Sequence, residues 1–378
     1  MIVDLTQAWE LVKLLSKAGM ISRVPNDSEF ENSSLDPTEE RMVFDQLWAH
    51  YWPKNSIENQ SGLSGVMLYL LKNSFPQNLH FNRQVQFIEW DSKDFLVYSI
   101  DEGNEKDSKT FCDIDKSDIR DNKCVKLDYA DIIICTLPAT HAKDLTAHLL
   151  PNFVVKDLEN IQYESRASCS LAVDMDPALA IKLCSLFGSE KTEINFDLLP
   201  NDFVSSERDE KIHLMIWQDR KSKSFESIRN NIEEKLNNPS HRNEDSKTVT
   251  LSFTFHSTVE SFKSFDSSQE FEVYVHNRLK QLLITDEKQD NEFKIRKSKS
   301  VLWPYSQPSA PMETLYKEVK DMEEAYPYGP AYIDPVGLIL VGDYFTQSSY
   351  VGSFCSAATA VRGVEEILKE RSKSSSDS

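Results

Sequence analysis

The chain has 378 residues, 40% of them apolar, which is enough for one large or two medium domains with real cores. Its formal charge of -19 opposes binding to a phosphate backbone, because nucleic-acid binders carry a basic footprint. No apolar run approaches the roughly 18 residues of a membrane span, and Asp4 and Glu10 break the basic-then-apolar layout of a signal peptide. The expected compartment is therefore the cytosol. Six cysteines (Cys112, Cys124, Cys135, Cys169, Cys184, Cys355) form no C-x-x-C pair, so neither a zinc site nor a disulfide framework is expected. Glycosylation sequons at Asn26, Asn32 and Asn59 read as chance without a secretory signal.

In chain order, the first predicted element is a helix. Asp4 and Gln7 resemble a capping box, Leu5, Ala8, Trp9, Val12 and Leu15 form a stripe, and Gly19 suits the C-terminal cap. Residues 26–40 read as a polar loop, and the aromatic-dense stretch 41–55 as core packing. A second helix places Leu63, Val66, Met67, Leu70 and Leu71 on one face. Two strand-like runs over 81–100 follow, split by a polar turn from Asp91 to Asp94.

After a charged insertion over 101–126, "YADIIICTLP" reads as a continuous apolar strand ending at Pro138, covered on both faces as in an open α/β sheet. Strands are expected at Ser168–Val173, His213–Trp217 and Thr248–Phe255. Residues 218–247 read as an exposed insertion holding a short helix, and a further helix spans about Gln269–Leu283. The tail from 371 to 378 is expected to be disordered.

The segment near the C-terminus, "VGDYFTQSSYVGSFCSAATAVRGVEEIL", gathers three of the ten glycines beside a lone aspartate. It predicts a buried strand (Gly337–Val341), an exit at Gly342–Asp343, and a helix beginning near Val351 or Gly352. On that helix Phe354, Ala357, Val361, Val364 and Leu368 make an apolar stripe, and Gly352, Ser356, Ala360 and Gly363 a small-residue face that a backbone or flat ligand can approach. The helix N-terminus favours an anion or electron-rich carbonyl. Asp343 would repel a phosphate but would accept hydrogen bonds from the hydroxyls of a sugar-like chain. A flavin nucleotide fits both features. A close helix-on-sheet crossing with Asp343 capping the loop accounts for the same residues.

Four landmarks then occur together: "GLSGVMLYLLKNSF" leading into "NRQVQFIEW", "ADIIICTLPATHA", "VLWPYSQPSAP" and "LILVGDYFTQSSYVGSFCSAA", with "IQYESRASCSLAV" as a weaker fifth. In that order they resemble the renalase branch of the FAD-dependent amine-oxidase-like flavoproteins, across most of the chain. The resemblance implies an α/β fold: an incomplete FAD/NAD(P)-binding Rossmann-type domain from discontinuous segments (62–138 and 330–370) and a mixed-sheet substrate domain (1–61 and 139–329).

The cofactor implied is FAD. Val85 matches the strand position whose backbone holds adenine, and Thr136 and Pro138 the loop beside the pyrophosphate. Gly342 and Asp343 match the segment around ribityl and phosphate, and Phe345, Thr346, Gln347 and Gly352 the turn under the flavin's pyrimidine edge. Trp303, Tyr305, Gln307 and Tyr350 would lie on the substrate side. The family's Trp-x-x-Ser-Gln is present as Trp303 to Gln307, with Pro304 and Tyr305 where a basic residue and an imidazole are common.

The chain lacks the G-x-G-x-x-G fingerprint of these flavoproteins, and its first residues resemble a later family helix. Met1 is accordingly read as marking a truncated gene model, an alternative isoform or a degenerate copy, which leaves secretion open. The implied reaction is hydride transfer from a dihydronicotinamide nucleotide to flavin and then to O2, giving hydrogen peroxide. The alternatives are an amine-oxidase-like flavoenzyme and a non-catalytic remnant or binding protein. The eight histidines show no H-x-x-x-H spacing and there is no G-x-S-x-G elbow. His141 reads as an exposed loop histidine, Ser348 and Ser349 as turn formers, and Cys355 as a packing residue.

Overall fold

The computed structural model describes residues 21–23, 51–53, 80, 83–101, 125–187, 193–195, 211–221, 225–237, 248–283, 293–312, 329–346, 348 and 350–376. The expected helices near 4–19 and 63–71 lie outside these, as does the stretch 41–55 apart from 51–53. The architecture is α/β, with antiparallel and mixed sheets flanked by helices.

Strands β1 (Ile21–Arg23) and β2 (Tyr51–Pro53) pair antiparallel. The predicted hairpin is present as β3 (Arg83–Trp90) and β4 (Phe95–Asp101), extended by β5 (Val125–Ala130) into a three-stranded antiparallel sheet. Its turn is built by Asp91, whose Oδ1 accepts from the backbone N–H of Lys93 at 3.0 Å and of Asp94 at 2.8 Å. The same contacts hold the Asp91 carboxyl below its usual value.

"YADIIICTLP" is two strands rather than one: β5 ends at Ala130, Asp131 turns the chain, and β6 (Ile133–Cys135) joins another sheet. Arg371 fixes that turn, donating to the Asp131 carbonyl and to the Val336 carbonyl at 3.0 Å each. Nor is β6 covered on both faces, since Ile134 is 47% exposed.

The helices α1 (Ala139–Thr146) and α2 (Asn152–Asn160) follow. Ala139, Ala142, Leu145, Val154 and Leu158 place them in one apolar core with Ile88, Phe95, Cys135, Leu338, Leu340, Tyr344 and Phe345. This core joins the antiparallel hairpin sheet to the sheet containing β6.

The strands β7 (Gln162–Met175), β8 (Glu193–Asn195), β9 (Ile212–Trp217), β10 (Val249–Ser257) and β11 (Phe293–Ala310) form an antiparallel sheet in the order β11-β7-β10-β9-β8. Alternation is clean: Ala167, Cys169, Leu171, Val173 and Met175 on β7 and Val249, Leu251, Phe253 and Phe255 on β10 are buried. Ser168, Ser170, Thr254 and His256 take the opposite face, linked as Ser168–His256 at 2.8 Å and Ser170–Thr254 at 3.0 Å. Helices α3 (Pro177–Phe187), α4 (Phe225–Asn237) and α5 (Ser268–Leu283) cover the apolar face.

The segment read as an exposed insertion at 218–247 is therefore partly core. Helix α4 buries Ile228 and Ile232, and Asp219 accepts from Trp217 Nε1 at 3.1 Å and from the N–H of Ser252 at 2.7 Å. The abundance of charge concealed two apolar residues at helical spacing.

Strands β12 (Ala331–Ile333) and β13 (Leu338–Val341) complete a small mixed sheet, β12-β13-β6, in which β13 runs antiparallel to β12 and parallel to β6. The final helix, α6 (Tyr350–Ser376), packs on it through Ala360 of the small-residue face and Ile367, with Val364 of the apolar stripe beside them. Gly352, Ser356, Ala360 and Gly363 are buried, whereas Val361 and Leu368 of the apolar stripe are 58% and 51% exposed. A Cβ at Gly363 would lie 2.5 Å from Ile333 Cδ1, so the sheet fills the approach that glycine permits. The tail is helical to Ser376 rather than disordered from 371, because Arg371 is anchored to the Asp131 and Val336 carbonyls.

Candidate functional site

Parallel pairing of β6 and β13, with Leu338 opposite Ile133 and Leu340 opposite Cys135, brings both strands out at the same edge of the sheet. The loops at their carboxyl ends, 136–138 and 342–346, are thereby neighbours despite their distance in sequence. In open α/β sheets this edge is where ligands bind.

On the β13 side, the four strand residues are all buried. Gly342 N–H donates to Ser356 Oγ at 2.9 Å, tying the exit to α6. Glycine is required there because a Cβ would sit 2.4 Å from the Tyr344 ring. A single 3-10 turn, Asp343–Phe345, follows, with Tyr344 and Phe345 buried and their ring centroids 4.7 Å apart. Asp343 is half-buried, and burial pushes its carboxyl above the usual value while the N–H groups of Asp343 and Tyr344 pull it back. Thr346 Oγ1 is buried with no hydrogen-bond partner among the described residues.

On the β6 side, Thr136 is exposed and Pro138 half-buried. Pro138 precedes α1 with φ -51 and ψ 147 and offers the helix no side-chain cap. The first N–H of α1, that of Ala139, is instead taken by Tyr163 Oη of β7 at 2.7 Å. Tyr305 of β11 meets Tyr163 edge-on, centroids 5.4 Å apart, and His141 in the first turn of α1 meets Tyr305 edge-on at 4.8 Å. Burial pushes the Tyr163 phenol up to about 12, with Asp343 and Tyr305 adding to the rise and the Ala139 bond opposing it.

Of the residues singled out in the sequence, Thr136, Pro138, Gly342, Asp343, Thr346 and Tyr305 thus converge on one region. Phe345 lies in the core, 0% exposed, beside Tyr344. Val85 packs on that same core from β3. Gly352 is buried in the first turn of α6, Tyr350 opens that helix, and Gln347 lies outside the described residues. Trp303 is 49% exposed and pairs in register with Arg166. Gln307 is engaged elsewhere, donating to Glu164 Oε2 at 2.6 Å, which also takes Arg166 at 2.9 Å. Register shifts in β11 between Trp303 and Gln307 separate these side chains from Tyr305.

Sequence reasoning missed Tyr163 and placed His141 in an exposed loop; His141 is exposed, but on a helix and in contact with Tyr305. The signal for Tyr163 was its position at the start of a strand, inside the weaker fifth landmark.

These groups fit part of FAD. The Asp343 carboxylate and the unpartnered Thr346 hydroxyl suit a hydroxylated chain, and Tyr163 and Tyr305 suit a flat ring. Neither loop supplies a lysine or arginine to pair with a pyrophosphate, and the first N–H of α1 is already taken by Tyr163.

No family model matches the chain, and no curated protein matches it. Among solved structures the chain is similar to a triple mutant of putrescine oxidase from a structure-based redesign of its cofactor binding, at 11% identity and a TM-score of 0.39. The match covers 82% of this chain and 53% of that one, so the chain spans about half the length of this neighbour.

Proposed function

We propose that the chain is an FAD-dependent oxidoreductase of the oxidase type acting on a small molecule, and within that class a renalase-like oxidase of dihydronicotinamide nucleotides. The observation that carries the reading is that loops 136–138 and 342–346 leave the same end of two parallel strands, with Asp343 half-buried on the second loop and its charge acting on Tyr163 of the Tyr163–Tyr305 pair. The order of the sequence landmarks supports the finer assignment.

When bound, FAD would supply hydride acceptance and reoxidation by oxygen with release of hydrogen peroxide. Asp343 and Thr346 would hold hydroxyls, and the N-terminal turn of α6 would favour negative charge developing on the ring. Tyr305, buttressed by His141, would form a wall against which two rings align. A dihydronicotinamide is already reduced, so the site needs no strong base.

The edge-on Tyr163–Tyr305 pair favours a second reading, oxidation of a small amine against an aromatic wall. The two are separated by reconstituting the full chain with FAD under anaerobic conditions and following the visible flavin band. Bleaching by dihydronicotinamide isomers of NAD(P)H is the expected result, and bleaching by small amines alone selects the second reading. A band that persists with both donors contradicts the oxidase assignment.

A further inference from the structure

Tyr163 has more hydrogen-bonding capacity than the fold uses. Its Oη accepts from the Ala139 N–H at 2.7 Å, and among the described residues nothing accepts the phenol's own proton. The ring is fixed against Tyr305, itself against His141, so the O–H retains only rotation about its C–O bond. Burial pushes the phenol up to about 12, which keeps the proton in place throughout the physiological range. Asp343 acts on Tyr163 through its charge and does not take that proton. At a half-buried phenol that proton is left to water, which an acceptor on a ligand can replace, and the Thr346 hydroxyl, buried without a partner among the described residues, adds a second uncommitted polar group on the neighbouring loop.

We propose that Tyr163 is a ligand-binding residue whose phenol O–H donates to a neutral carbonyl or ring-nitrogen acceptor of a flat heteroaromatic ligand lying against Tyr305. The ligand class rests on the flavin and nicotinamide reading above. A neutral acceptor is preferred to an anion because the Asp343 carboxylate opposes negative charge there.

The two bonds of Tyr163 are separable by thermodynamics. The Ala139 bond exists with or without ligand, so its loss lowers the melting temperature and cancels in an affinity. The phenol proton's bond exists only in the complex, so its loss appears in the affinity.

FAD, riboflavin and NADH are therefore titrated separately into the wild-type chain and into Tyr163→Phe, by fluorescence and calorimetry. The expected result is a lower melting temperature together with about tenfold weaker binding of at least one probe. O-methyltyrosine at position 163 keeps an oxygen for Ala139 but lacks the proton. It should recover the melting temperature without the affinity, and it stands in for Tyr163→Phe if that variant does not fold. Unchanged affinity in both variants for every probe the wild type binds overturns the proposal, as does binding of none of the three by the wild type. Binding of riboflavin or NADH but not FAD, weakened in the variants, upholds the role of Tyr163 while overturning the FAD assignment.

Discussion

Asp343 is a half-buried carboxylate on the loop that leaves β13. Its native carboxyl titrates above the usual value, so the folded state binds that proton more tightly than the unfolded chain does. Stability contributed by this group is therefore present at low pH, declines as pH rises from the unfolded value through the raised native one, and stays lost above it. Asp343→Asn carries no such penalty. In cofactor-free protein, urea melts should show the variant gaining on wild type between pH 3 and pH 7, with the gap closing toward acid. A pH-independent difference between the two would mean that Asp343 is solvated as an ordinary surface carboxylate. This residue was legible in the sequence because it stands alone between a buried strand and a glycine-rich helix. Tyr163 was not, since its partner is a backbone N–H supplied by a helix start 24 residues earlier.

At the scale of elements, periodicity identified β3, β4, β7, β9, β10 and α5, most cleanly β7 and β10, which bury alternate residues. It says less where two demands meet on one element. Helix α6 carries both an apolar stripe and a small-residue face, and its contact with the sheet draws on each, through Ala360 and through Val364, with Ile367 beside them. Gly363 lets the Ile333 side chain lie directly against the helix, in the space a Cβ would take. Gly363→Val should therefore destabilise the fold by about 1–3 kcal/mol despite valine's greater hydrophobicity and better helix propensity than glycine, as read from chemical denaturation. A gain in stability would show that Ile333 moves aside freely. Similarly, Asp131 divides an apolar run into β5 and β6 because Arg371, distant in sequence, binds its carbonyl. No local pattern announces such a contact.

For the whole molecule, the described residues hold two main apolar cores with different work to do. One lies between the antiparallel sheet and α3, α4 and α5, around Phe253, Phe255 and Phe271. The other, around Leu338, Leu340, Tyr344 and Phe345, carries both loops of the candidate site. Phe253→Ala should cost about 3–5 kcal/mol and Leu340→Ala about 2–5 kcal/mol. Only the second should weaken ligand binding at temperatures where both variants remain folded, as a titration beside each denaturation curve would show. Equal loss of binding in both would mean that the site depends on overall stability rather than on the packing beneath β13. Alternating and continuous apolar runs revealed the sheets, but the arrangement that joins β6 to β13 depends on pairing between segments that no local pattern links.

The most direct test of a flavin site at the carboxyl ends of β6 and β13 is the visible absorbance spectrum of the full chain, purified after expression with riboflavin and then incubated with FAD. Flavin bands that remain with the protein through gel filtration, and that are lost in Asp343→Ala, are the predicted result. A folded, colourless protein that leaves added FAD unbound would contradict the account.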